Sequence, residues 1–177
     1  MSFGLAAFTI FHVALSLLGI ASGFVVAYGL LTARRLDGWT AVFLTTTVAT
    51  SVTGYFFPVH HFMPSHAVGI VSLLVLAVAI VARYRRHLAG SWRWIYVVSA
   101  MIGLYLNVFV LVVQSFAKVP ALKALAPTQS EPPFKLTQLV LLALFLMLTI
   151  AAAIRFRAEP PRREPSNLVA DDGVARL

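Results

Sequence analysis

The sequence predicts an all-α, polytopic transmembrane bundle of about five spans, with the N-terminus outside and the C-terminus in the cytoplasm. Three observations carry that prediction. Of 177 residues, 60% are hydrophobic and only 11% are charged, and the mean hydropathy is +0.88. A soluble domain carries roughly 25% charged residues, so too little polar surface is left here to cover a water-soluble core. The apolar residues fall in runs of about 19 to 29, which is spanning length at a rise of about 1.5 Å per residue. The arginines gather at the ends of those runs rather than spreading over a surface.

The predicted spans are residues 5–33, 39–57, 65–83, 93–116 and 134–154. The first has no Lys or Arg before its apolar run, which reads as a retained helix rather than a signal peptide. It ends at Arg34-Arg35, and Asp37-Gly38 forms the turn. The second stops at Pro58, which cannot continue a helical ladder. A short loop with His60, His61 and Met63 follows, and Ser65 after Pro64 opens the third span as a cap. That span closes on Arg83, Arg85 and Arg86, while Trp92 and Trp94 mark a membrane interface before the fourth. The proline-rich loop 117–133 is long enough for a short interfacial helix over 119–126. The fifth span is almost wholly Leu, Ala and Phe and reads as peripheral and lipid-facing. The first 157 residues form one membrane domain, and residues 158–177, rich in Pro, Arg and Asp, are expected to be a disordered cytoplasmic tail.

All eleven arginines lie in the 1–2 turn, the 3–4 turn and the C-terminal flank, and the other side holds only Lys118, Lys123 and Lys135. By the positive-inside rule the arginine side is cytoplasmic. The same placement argues against nucleic acid as the partner behind the net charge of +8, because the charge marks topology rather than a groove. The arginine clusters are accordingly read as orientation signals in contact with anionic lipid. The lipid bilayer is the expected surrounding, with a homo-oligomer or other membrane subunits as expected company. With no cysteine in the chain, thiolate metal sites, iron–sulfur clusters and cysteine nucleophiles are excluded.

Polar groups inside a bilayer are costly, so their positions carry information. His12, Ser16, Gly19 and Gly23 fall on one face of the first span, and Tyr96, Ser99, Gly103, Asn107 and Gln114 on one face of the fourth. Thr46, Thr50, Thr53 and Gly54 line one side of the second. Small and hydroxyl residues on one face are what close packing in lipid requires, so these stripes are expected to face each other.

Four of five histidines, His12, His60, His61 and His66, are predicted to collect at the outer end, with Met63, Gln114, Gln129 and Glu131 nearby. Neutral imidazole is the commonest metal ligand and titrates near neutrality. The cluster therefore points to a metal or haem site or a proton-coupled quinone pocket. His12 and His66 are the candidates for haem b, the histidines with Met63 suit copper, and Asn107, Gln114 and Glu131 are the candidate ligand-binding side chains. Plain structural roles stand beside each of these, because an imidazole or amide in a span also satisfies itself on a neighbouring hydroxyl or carbonyl. A lid formed by 127–133 would bring Glu131 onto an imidazolium. No HExxH, CxxCH or paired Glu-x-x-His set is present, and Ser-His-Asp hydrolysis is disfavoured because Glu131 is the only acid on the histidine side. The remaining readings are a non-catalytic subunit of a larger membrane complex and a small transporter using the central polar stripes.

The stretches Thr53-Gly54-Tyr55-Phe56-Phe57-Pro58 and Leu104-Tyr105-Leu106-Asn107-Val108-Phe109, with the proline-rich loop, resemble small multi-pass bacterial inner-membrane proteins. The resemblance spans the second to fifth helices. It implies that membrane and that multi-pass fold, and it brings no activity with it.

Overall fold

The computed structural model describes residues 3–57 and 64–156. Among them helix is the only regular structure: α1 (Phe3–Leu31), α2 (Asp37–Thr53), α3 (Pro64–Ile80), α4 (Trp92–Lys118), α5 (Pro120–Leu125) and α6 (Pro132–Arg155). A 3₁₀ turn over Gly54–Phe56 extends α2, and a π-helical turn over Val81–Arg85 ends α3. The expected tail 158–177 lies outside the described residues, as do His60, His61 and Met63.

Four stretches are long and apolar enough to cross a membrane: Gly4–Leu31, His66–Arg85, Trp92–Lys118 and Pro132–Arg155. Their outer faces carry large apolar side chains in the open, among them Ile10 (71% exposed), Leu74 (64%), Val140 (66%) and Ile154 (68%). Water would penalise such a surface and lipid does not, so the architecture is that of an integral membrane helix bundle. The second predicted span differs in detail. Its α-helical part has 17 residues and is rich in threonine, and the chain tightens into the 3₁₀ turn at Gly54 before Pro58.

α4 is the hub, touching α1, α3, α5 and α6, and it buries Tyr96, Val97, Ala100, Met101, Gly103 and Leu104 on one continuous face. α1 and α2 form the most extensive pairing, and α6 buries only Phe145 and Ala152. The expectation of a peripheral last helix therefore matches the packing.

Several hydroxyls in the spans satisfy themselves on carbonyls one turn back, among them Ser22 on Leu18 (2.7 Å), Thr46 on Val42 (2.7 Å), Ser99 on Ile95 (2.7 Å) and Thr149 on Phe145 (2.6 Å), whereas the buried Thr50 hydroxyl has no partner among the described residues. Each such bond removes an unpaired donor that lipid cannot solvate.

Both arginine-bearing turns use left-handed residues other than glycine. After α1 the amide of Arg34 bonds the carbonyl of Gly29 (2.8 Å) and that of Ala33 bonds Leu30 (3.4 Å), a Schellman closure with Ala33 at φ 56°. The π-helical turn is followed by His87 (φ 48°) and Leu88 (φ 60°), with Leu88 buried under the helix end.

Candidate functional site

At one end of the bundle His12 of α1 meets the last turn of α2. Its Nδ1 lies 2.8 Å from the Thr53 hydroxyl oxygen. The Thr53 hydroxyl already donates to the Ala49 carbonyl (2.7 Å), so toward His12 it accepts. The imidazole therefore donates through Nδ1, and in its neutral form Nε2 is the acceptor nitrogen. The ring is half-buried and stands edge-on to Phe57 (centroids 5.1 Å), which in turn packs on Phe8 (5.0 Å). Gly54 lies beside the ring, 3.7 Å from the imidazole Cε1 to where a Cβ would stand, an ordinary contact distance.

His66, in the first turns of α3, packs on the same short segment. Its ring stacks on Tyr55 (5.6 Å, 26°), and the Tyr55 hydroxyl donates to the His66 carbonyl (2.9 Å). Gly69 admits that tyrosine, because a Cβ there would stand 2.7 Å from its oxygen. The segment 53–57 thus ties both helices, one histidine on each. Among the described residues no group of three His, Cys, Asp or Glu is close enough to hold a metal ion. Met63 of the copper arrangement lies outside the described residues, as do His60 and His61.

Deeper in the bundle the predicted stripes do meet. The Asn107 amide donates to the Thr47 hydroxyl (3.1 Å), both buried, and Gly19 brings α1 onto them. A Cβ on Gly19 would stand 3.2 Å from the hydroxyls of Thr46 and Thr47 and 3.4 Å from Asn107 Nδ2. Asn107 thus acts as a three-helix tie. Asn107→Leu is expected to cost about 1 kcal/mol, the scale of one interhelical hydrogen bond in a membrane. Reversible unfolding in mixed micelles measures it, and an unchanged midpoint would remove the tie.

Gln114 departs from the expectation. It follows Asn107 by two turns on the same face of α4 but is exposed. The close approaches of α1 to α4 are made at Gly19 and Gly23. The Glu131 carboxylate accepts from the Thr128 amide (3.1 Å), the Thr128 hydroxyl (2.8 Å) and the Ser130 amide (3.0 Å), so its own turn holds it. The loop is held down by Gln129, whose amide reaches the Val113 carbonyl (2.9 Å).

Local desolvation raises the Glu131 carboxyl, but these hydrogen bonds outweigh it and leave the group below its ordinary value of 4.5. A depressed folded value means the turn is fully held above the ordinary value and released as pH falls through the folded one. Amide exchange at Thr128 and Ser130, corrected for intrinsic rates, is expected to stay slow from neutrality down to about 5 and to accelerate at lower pH. Flat protection across that range would show that the carboxylate does not hold the turn.

At the opposite end the structure adds a group that the sequence reading missed. Arg83, on the π-helical turn, forms an ion pair with Asp37 at the start of α2, and its guanidinium lies 5.5 Å above the Tyr96 ring. Tyr96 shares a hydrogen bond with Thr40 (3.3 Å) and packs on Phe156 (6.4 Å). The 1–2 turn, the 3–4 turn and the end of α6 therefore converge on one tyrosine. The signal available in the sequence was Asp37, the only acid before Glu131, standing near an arginine cluster. Gln138 was also passed over. It half-buries in α6, donates to the Phe109 carbonyl (3.4 Å) and leaves its Oε1 without a partner.

Comparison of the chain with known protein families, with curated proteins and with solved structures gives no match.

Proposed function

We propose that this chain is a five-span protein of the bacterial inner membrane, N-terminus outside and C-terminus cytoplasmic, that binds a lipid-soluble quinol at the histidine end of the bundle. The observation that carries the reading is the His12–Thr53 pair (2.8 Å). In its neutral form the ring then presents Nε2 as the acceptor, the arrangement that receives a hydroxyl proton from a reduced quinone headgroup. The rings of Phe8 and Phe57 offer the aromatic wall such a headgroup stacks on. The His12 ring is only partly buried, so the site stays open at its edge.

The topology has its own support. α2 begins at Asp37, paired with Arg83, and ends at Thr53, paired with His12, so it runs between the two ends although it is short. An odd number of passes leaves the chain ends on opposite sides. The eleven arginines against three lysines then assign the arginine end to the cytoplasm.

The test uses the full chain purified in mild detergent. A short-chain quinol is expected to raise the unfolding midpoint, by up to about 2.7 kcal/mol of stabilisation at a hundred times its Kd, while its dimethyl ether does not. His12→Ala should abolish the effect and Thr53→Val should weaken it. No stabilisation by the quinol sinks the reading. A Soret band or stoichiometric copper in the same sample, lost in His12→Ala, would replace the quinol with haem b or copper on the same imidazole.

A further inference from the structure

We propose that the arginine end carries a second site, which binds the phosphodiester of an anionic phospholipid between the α1–α2 turn and the foot of α4. A small open recess of about 10 Å³, room for one water, lies there, lined by Leu30, Arg34, Arg35, Thr40, Arg83 and Tyr96, so the phosphodiester would sit across its mouth. Its charged lining is three guanidiniums with no carboxylate. Asp37 pairs with Arg83 from outside the recess, and its side chain is 75% exposed while that of Arg83 is 10% exposed. Thr40 and Tyr96, 3% and 1% exposed, add two hydroxyls to the wall. Arg34 and Arg35 are exposed at the mouth and make no ion pair among the described residues.

The chemistry that fits is an oxyanion with several acceptor oxygens. A guanidinium presents a planar fork of donors matched to phosphate; Arg34 and Arg35 make no ion pair among the described residues, and Arg83 behind them is paired with Asp37. The recess is floored by Leu30 and lies where the apolar surface of α1 ends, with Tyr28 59% exposed on the outer face of the last turns. That is headgroup level, where basic pockets between transmembrane helices take lipid phosphates and the attached chains run back along the bundle. Asp37 has a defined part in this site. It holds Arg83 from the solvent side, so its carboxylate competes with the phosphate for that guanidinium. The site does not depend on what the histidine end binds.

The experiment titrates the purified full chain in detergent with phosphatidylglycerol, phosphatidylcholine or inorganic phosphate, following bound lipid by native mass spectrometry and the unfolding midpoint in parallel. Phosphatidylglycerol is expected to bind and stabilise, while phosphatidylcholine and phosphate do neither. Arg35→Gln should weaken phosphatidylglycerol roughly five-fold, and Arg34→Gln with Arg35→Gln about thirty-fold. Both positions lie on an exposed turn, so these variants fold. Asp37→Asn should tighten binding, whereas a merely structural ion pair would leave the affinity unchanged or lower it. Binding of phosphatidylcholine as tightly as phosphatidylglycerol overturns the proposal, as does indifference to the arginine variants. Inorganic phosphate binding with equal affinity overturns the lipid assignment in favour of a free anion.

Discussion

Replacing Gly23 with valine is expected to cost about 3 kcal/mol of bundle stability, the upper end of what overpacking a buried contact costs. A Cβ at that position would stand 2.5 Å from Leu104 Cδ1 and 2.9 Å from Phe43 Cε2. Both neighbours are 1% exposed and hemmed in, so neither side chain has an empty direction to turn into. Helix association in lipid has no hydrophobic drive of its own and rests on close packing, which a branched side chain here prevents. If α1 moves outward instead, it weakens Gly19 on Thr47 and Asn107 and His12 on Thr53, both on the same face. Reversible unfolding in mixed micelles gives the number. Gly4→Val is the matched control, since nothing lies within 4 Å of a Cβ there, and it should stay within about 0.5 kcal/mol of the parent. Trimming the neighbour with Phe43→Leu in a Gly23→Ala background should recover part of the loss, as coupled neighbours do. A Gly23→Val protein as stable as the parent would mean that α1 does not dock through this glycine.

The helices themselves were legible because span length is a local property: twenty-odd apolar residues form a helix in lipid whatever else the chain does. The short helix expected over 119–126 appears as Pro120–Leu125, with proline at its first turn. The inward faces were legible too, since the 100° period placed Gly19, Gly23 and Asn107 on faces that do meet. What periodicity does not encode is how far two helices stay together, and Gln114 fell on that gap. The candidate site was half legible. His12 was singled out, but its tautomer follows from the donor of Thr53 already being spent on Ala49, a fact of three dimensions. Arg83 was read as one of a cluster that orients the chain and contacts lipid; its place on a π-helical turn, paired with Asp37 and over the Tyr96 ring, is a matter of tertiary packing that span length does not encode.

The weight carried by that end is expected to show in Tyr96. Tyr96→Ala should cost about 3 to 4 kcal/mol, because it removes a large ring that is 1% exposed and leaves a cavity where α2, α3 and α6 converge on α4. The loss has separable parts. Tyr96→Phe keeps the ring under the Arg83 guanidinium and beside Phe156 and deletes only the hydroxyl shared with Thr40, a long bond at 3.3 Å. It should cost about 1 kcal/mol or less. Tyr96→Leu retains apolar volume but gives the guanidinium no π face, and about 1 kcal/mol beyond the Phe variant is expected from that contact. The Asp37–Arg83 pair adds a second readout. With Asp37 largely in solvent, Asp37→Asn in the parent should cost no more than about 1 kcal/mol, the ordinary value of an exposed pair. In the Tyr96→Ala background the guanidinium has lost its platform, so the ion pair should contribute more to holding α3 against α2 and the same substitution should cost more. If instead the two effects simply add, Tyr96 and the ion pair act on different contacts, and convergence on one tyrosine is not what joins the three ends.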